Sequence, residues 1–309
     1  MDWNNKQAVL TEVTRNSYTL RYASPELQAD REVVLAAVSK HGYALNYASP
    51  ELQADREVVL AAVSHPQRAD FYDAPKITEE MVSTLKFAST QLKADREVVL
   101  AAVSNDSRAL EFASTPLQGD RAIVLTAISN WGKALEFAST PLQGDRDIVL
   151  AAVSNSGQAL QYASPQLQAD RVVVLAAVST NGTALDFAST LQDDRGVVLA
   201  AVSKDGFALQ YASPRLKNDK EVVLVAARHY NFQLKNASRR LRDDREVVLA
   251  AVSKEQYLGY ELKYASTRLK DDREVVLAAV SNDSGALKHA STELKDDIEV
   301  VLAAVSKSG

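Results

Sequence analysis

The sequence predicts an all-α solenoid, a superhelix of short helix-turn-helix repeats, and three observations carry that prediction. The segment YASPELQADREVVLAAVS occurs twice, at residues 22–39 and 47–64. An Ala-Ser pair marks eleven looser copies, from Ala23-Ser24 to Ala290-Ser291, with a usual spacing of 25 residues. Each copy ends in an apolar run of the type Val58-Val59-Leu60-Ala61-Ala62-Val63, in almost every copy behind an Asp-Arg pair. A fixed period in this range marks stacked repeats, none of which buries a core alone. The repeat covers nearly the whole chain, and no composition break divides it, so one array over residues 1–309 is expected.

The array opens with a half repeat, residues 1–21. Lys6-Gln7-Ala8-Val9-Leu10-Thr11-Glu12-Val13 aligns with Arg31 to Val38. Thr11 and Glu12 stand where the repeats have alanines, which gives a capping helix its polar outer face.

Gly42 to Ser64 serves as the model unit. Gly42 is expected in the left-handed position past a helix end. Tyr43 to Ala48 reads as a short helix with Ala44, Leu45 and Ala48 on one face. Ser49 caps a new turn that starts at Pro50, where a missing N–H costs nothing. Leu52 points to the core. Asp55 caps the second helix, Arg56 to Ser64, and Glu57 favours its positive end. That helix is apolar on every side, so burial all round is expected between its equivalents in neighbouring repeats. Valine also favours strands; the alanines, the Asp cap and the lack of period-two alternation point to helix.

Four places break the pattern. Residues 66–80, PQRADFYDAPKITEE, are an insertion that carries Phe71 and Tyr72. The seventh copy is one residue short between Ser189 and Asp194. The ninth, residues 228–245, replaces its turn with Arg228-His229-Tyr230-Asn231-Phe232 and its aromatic residue with Asn236, and it carries Arg239 and Arg240. A three-residue expansion lies near Tyr257 and Tyr260. Insertions in a solenoid collect on one edge and often bind partners. The last helix, with Val300 to Val305, keeps the full apolar consensus, so this end is expected to expose apolar surface, and either the native chain continues or something covers this helix.

Hydrophobic residues make up 46% and charged residues 24%, enough for a continuous core and too ordinary for disorder. The net charge of −5 argues against a broad phosphate-binding surface. With no Cys, thiolate metal sites, disulfides and cysteine nucleophiles are excluded. The start MDWNNKQAVL has no signal-peptide pattern and no apolar run reaches membrane-spanning length, so a soluble intracellular chain is expected.

Asp-Arg recurs in almost every copy, as at Asp30-Arg31, Asp55-Arg56, Asp95-Arg96 and Asp244-Arg245. An acid–base site needs one asymmetric constellation in a pocket. Recurrence instead indicates a helix cap joined to an inter-repeat ion pair. The same reasoning removes the serines as nucleophiles and the aromatic series Tyr22, Tyr47, Phe87 to Tyr264 as a stacking platform. His41, His65, His229 and His289 lack metal-ligand spacing, and no Gly-rich phosphate loop is present. No catalytic residue, cofactor or metal is called for. Trp131, just before Gly132, occupies a turn where it can anchor a partner or fold back on its neighbour. The variable position of the first helix turns from Glu111 and Glu136 to Lys235, Lys263 and Lys288. Interleaved Asp243, Asp244, Asp271, Asp272, Asp296 and Asp297 make that end self-neutralising and favour a protein partner over nucleic acid.

The pattern G-x-A-L-x-[YF]-A-S-x-x-L-x-x-D-R-E-V-V-L-A-A-V, unbroken in its core at Asp55–Val63 and Asp95–Val103, resembles the domain-of-unknown-function 4116 repeat. The resemblance spans roughly Gly42 to Ser306. It implies helical arrays of the kind found in protist and algal proteins, large viruses and some bacterial effectors, with no established activity and no catalytic residues to transfer. The expected function is a non-enzymatic scaffold for other proteins. The alternatives are a structural subunit of a large assembly, docked through the C-terminal helix, and a nucleic-acid-binding array. The interaction candidates are Phe71, Tyr72, Trp131, His229, Tyr230, Phe232, Arg239, Arg240, Tyr257 and Tyr260.

Overall fold

A computed structural model describes residues 2–64, 83–229, 231–253 and 260–306. Among them every regular element is helical and there is no strand, so the chain is an all-α repeat solenoid. It divides into two compact units, Met1–Asn155 and Ser156–Gly309, each a stack of the same repeat.

One repeat contains three helical pieces: a 3-10 segment (Gly42–Tyr47), a single α-turn (Pro50–Gln53) and the long helix (Arg56–Ser64). The first piece is tighter than the α-helix its sequence suggests. Ala44 N–H donates to His41 O at 3.0 Å and Ala48 N–H to Leu45 O at 3.2 Å, both i to i−3. Ala48 and Ser49 then turn extended, the conformation that Pro50 imposes on the residue before it. The Ser49 hydroxyl faces the N–H of Leu52, and Pro50 takes the first helical position. Asp55 bends the chain once more and its carboxylate receives the N–H groups of Glu57 (2.9 Å) and Val58 (3.0 Å).

The long helix buries Val58, Val59, Ala62 and Val63, while Leu60 and Ala61 are half-buried. The expectation of burial on every side is therefore corrected: packing between two neighbours covers two flanks, and the Leu60-Ala61 flank meets solvent. With Ala44, Leu45 and Leu52, each repeat still places several aliphatic side chains in the core. At about 1.5–3 kcal/mol for a fully buried Val or Leu, this apolar stack dominates stability.

The turn glycines are also corrected. Gly42 and Gly157 are not left-handed. They are needed because the long helix of their own repeat passes so close: a Cβ would lie 2.1 Å from Ala62 O at Gly42 and 2.2 Å from Ala177 O at Gly157.

Neighbouring repeats are joined by backbone as well as by core. Ser49 N–H donates to Gln28 O at 2.9 Å, Ser114 to Lys93 O at 2.8 Å and Ser291 to Lys270 O at 2.9 Å. Gln53, Gln118 and Gln168 then fold their amides back onto the carbonyls that end their own 3-10 segments. The linkage survives the irregularities. Ser89 N–H reaches Gln53 O at 2.9 Å although residues 66–80 intervene, and Ser266 N–H reaches Arg242 O at 3.0 Å across the expansion. In the short seventh copy the α-turn becomes the 3-10 turn Ser189–Leu191, and Ser213 N–H still finds Gln192 O at 2.8 Å. The eighth copy's long helix stops early, at Lys220–Ala227, and the ninth copy shortens its 3-10 segment to Leu234–Asn236.

The first helix, Lys6–Arg15, buries Val9 and Val13 and leaves Thr11 exposed. In the last helix, Ile298–Ser306, Ile298 is 77% exposed and Leu302 and Val305 each 63%. The corresponding Val63, Val103 and Val280 of other repeats are buried against the next helix.

Candidate functional site

The repeated carboxylates have their oxygens divided between two tasks. Asp95 Oδ1 receives the N–H groups of Glu97 and Val98 at 3.0 and 3.1 Å, which caps its own helix. Asp95 Oδ2 receives Nε of Arg56 from the preceding repeat at 2.9 Å. The same guanidinium extends its other arm to Glu97. In the first unit the series runs Lys6–Asp30, Arg31–Asp55, Arg56–Asp95, Arg96–Asp120 and Arg121–Asp145. In the second it runs Arg171–Asp194, Arg195–Asp219, Lys220–Asp244, Arg245–Asp272 and Arg273–Asp297. The Arg56 guanidinium, then the Val98 N–H, hold the Asp95 carboxyl below its usual range. At Asp55 the Val58 N–H leads, outweighs partial burial and is helped by Arg31. These groups serve as cap and inter-repeat tie together.

A second series was not legible beforehand. Arg215 Nε donates to Asp193 Oδ1 at 2.9 Å, Arg240 Nε to Asn218 Oδ1 at 2.9 Å and Arg268 Nε to Asp243 Oδ1 at 3.1 Å. Each guanidinium also donates to the backbone carbonyl of the same partner, at 2.7, 2.7 and 2.6 Å. The available signal was an arginine two residues after the repeat serine in three successive copies, each matched by Asp or Asn in the copy before. The series stops at the last interface, where Glu293 occupies the arginine slot opposite Asp271. A groove of about 340 Å³ lies there, lined by Thr267, Arg268, Lys270, Asp271, His289 and Ser291 among others.

Phe71, Tyr72, Tyr230 and Tyr257 lie outside the described residues. Tyr260 begins the 3-10 segment Tyr260–Tyr264. Trp131 is half-buried and sits between the long helix Arg121–Asn130 and the next 3-10 segment, its ring 6.4 Å from that of Phe137. His229 is half-buried, with its backbone turned onto Ala226 O. Phe232 must be corrected: it is only 6% exposed and belongs to the core, because the aberrant repeat uses it to fill the stack. Arg239 is exposed; the neighbouring Arg240 is tied to Asn218.

The aromatic series is half-buried from Tyr47 to Tyr264, and Tyr22, at 52% exposed, is covered by Trp3 and Arg21. His289 replaces the aromatic ring in the last copy. Burial, then Lys288, Lys270, Lys263 and Lys295, push its imidazole below the ordinary histidine range. Among the described residues no group of His, Asp or Glu could hold a metal ion, and no helix is long and apolar enough to cross a membrane.

The family model described as "Domain of unknown function (DUF4116)" matches residues 30–73, 81–118, 95–143, 120–168, 145–192, 194–242, 244–295 and 272–309, in overlapping segments that tile the array. No curated protein and no solved structure matches the chain.

Proposed function

The chain belongs to the DUF4116 repeat family, and from that premise we propose that this repeat scaffold is non-catalytic and works by binding other proteins. One observation carries the reading. The recurring carboxylates that acid–base chemistry would draw on are engaged on both oxygens, one by a helix N-terminus and one by the preceding repeat's cation. What differs from copy to copy lies outside those ties, at turns and on the outer faces of the 3-10 segments, where Trp131, His229 and Arg239 are found. A rigid frame with variable outer positions is how solenoids present binding surfaces. The test is reciprocal affinity capture: the chain and a captured protein, tagged in turn, should recover each other in a fixed ratio. Failure of every candidate to reciprocate, or saturable turnover of a substrate by the purified chain, overturns the reading.

A second reading is favoured by the face of Ile298, Leu302 and Val305. It has the character of the surface on which every earlier repeat receives its successor. Under this reading the chain is a subunit held in a larger assembly through its last helix. Sedimentation as an unchanging monomer by both the wild-type chain and Leu302→Lys, with the same recovery of partners, removes it.

A further inference from the structure

In the second unit, cations gather on one face of the last three repeats. One column follows the variable position of the 3-10 segment and reads Gln161, Asp186, Gln210, Lys235, Lys263, Lys288. The other follows the slot that closes the single turn and reads Gln168, Gln192, Lys217, Arg242, Lys270, Lys295. The columns are adjacent. Gln168 Nε2 donates to Gln161 O at 3.1 Å, and Lys217 Nζ donates to Gln210 O at 2.6 Å. Successive members are fixed side by side by the serine links Ser238 to Lys217, Ser266 to Arg242 and Ser291 to Lys270.

Four of the six aspartates that interleave with these cations in sequence are claimed by other cations. Asp244, Asp272 and Asp297 are held by Lys220, Arg245 and Arg273, and Asp243 is held by Arg268. The self-neutralising expectation is thereby corrected, because a different set of cations takes these carboxylates. Glu261 turns inward to the N–H of Leu234 at 2.6 Å. Among the described residues, Asp271, Glu293 and Asp296 are the carboxylates left beside these columns. Lys235, Lys263, Lys270 and Lys295 make no ion pair among the described residues, and Arg242 Nε is a buried N–H without an acceptor. The field of four of these lysines is felt at His289.

We infer that this two-column strip is the docking surface for an acidic segment of a partner protein. The inference rests on the scaffold reading and names the partner's chemistry. Stacked repeats recur roughly every 8–10 Å, and side chains seven apart on a helix recur about every 10.5 Å. An acidic helix laid along the stack thus presents carboxylates in step with the cations. Single-stranded nucleic acid fits less well, since it needs stacked aromatic platforms. Here the aromatic column is interrupted by Asn236 and His289, and Lys263 covers the ring of Tyr264.

The experiment measures fluorescence anisotropy with a labelled Glu-rich helical peptide, its Gln counterpart and a thymidine 15-mer, at several salt concentrations. The full chain is compared with Lys263→Glu/Lys295→Glu and with Lys133→Glu/Lys204→Glu, which carries the same charge change elsewhere; thermal melting checks that all are folded. The expected result is salt-sensitive binding of the Glu peptide alone, weakened at least tenfold in the first variant and unchanged in the second. No binding of the Glu peptide, equal loss in both variants, or tighter binding of the thymidine strand with the same sensitivity overturns the inference. If a reciprocal partner is captured while the Glu peptide fails, the strip falls and the scaffold reading stands.

Discussion

Arg56 and Asp95 lie 39 positions apart, yet Arg56 Nε donates to Asp95 Oδ2 at 2.9 Å. Comparable ties elsewhere bridge 24 positions, as between Arg31 and Asp55. The geometry is kept because the tie connects slots in the stack, and the insertion leaves those slots in register.

Removing the two partners separately should have unequal effects. Asp95→Ala strips a helix cap as well as the tie, and cap loss costs about 0.5–2 kcal/mol. Arg56→Ala loses only its surface ion pairs to Asp95 and Glu97 and should cost less. Urea unfolding of both single variants and the double variant gives the coupling. Equal costs for the two would show that the cap contributes nothing.

Deleting residues 66–80 restores the 25-residue spacing between Ala48 and Ala88. Since Ser89 to Gln53 and Arg56 to Asp95 already join the flanking repeats, stability should change by no more than about 1 kcal/mol, as loop closure depends weakly on length. Differential scanning calorimetry decides it; loss of the cooperative transition would mean that the insertion is part of the frame.

Two glycines should respond oppositely to alanine. Gly157→Ala drives a Cβ against the Ala177 carbonyl and should cost about 1–3 kcal/mol. Gly119 has φ −96° and ψ −3°, close to the −102° and −5° of Ala54 in the same slot. Gly119→Ala should therefore stabilise by about 0.4–1 kcal/mol through the unfolded chain. Chemical denaturation of the pair reads both signs.

Acid should loosen the ties. The capping aspartates titrate below their ordinary range when folded, so their contribution is complete above the ordinary carboxylate pKa of about 3.9. It is lost as pH falls through the lowered native values. Glu261 runs the other way: burial raises it, against the Leu234 N–H and Lys235. Its contribution is full at low pH and is lost as pH rises through the raised value. Glu261→Gln should gain on wild type between pH 4 and pH 7, whereas Glu261→Ala should cost about 1–3 kcal/mol by orphaning the Leu234 N–H. Melting temperatures across pH 2–8 test both signs; a flat difference between Glu261→Gln and wild type would remove the Glu261 argument.

The repeat unit was legible because its signals are local: Pro50 at a first helical position, Asp55 before an apolar run, Leu45 and Leu52 at core spacing. What was illegible depends on contacts between copies. Nothing within one repeat reveals that Arg31 serves the next repeat's Asp55. Phe232 was misplaced on the surface because an aromatic residue in an aberrant turn looks exposed until the neighbouring repeat is laid against it. The basic strip was visible as a list of lysines, but its net charge depended on which cations claim Asp243, Asp244, Asp272 and Asp297.

The ion-pair series has a sense of direction. Inside each of the two stacks a repeat hands a cation to its successor and a carboxylate to its predecessor, so the described junctions pose the same chemical problem and receive the same answer. An array built this way can lengthen or shorten by duplicating or losing whole units, as a polymer does, with no interface to invent.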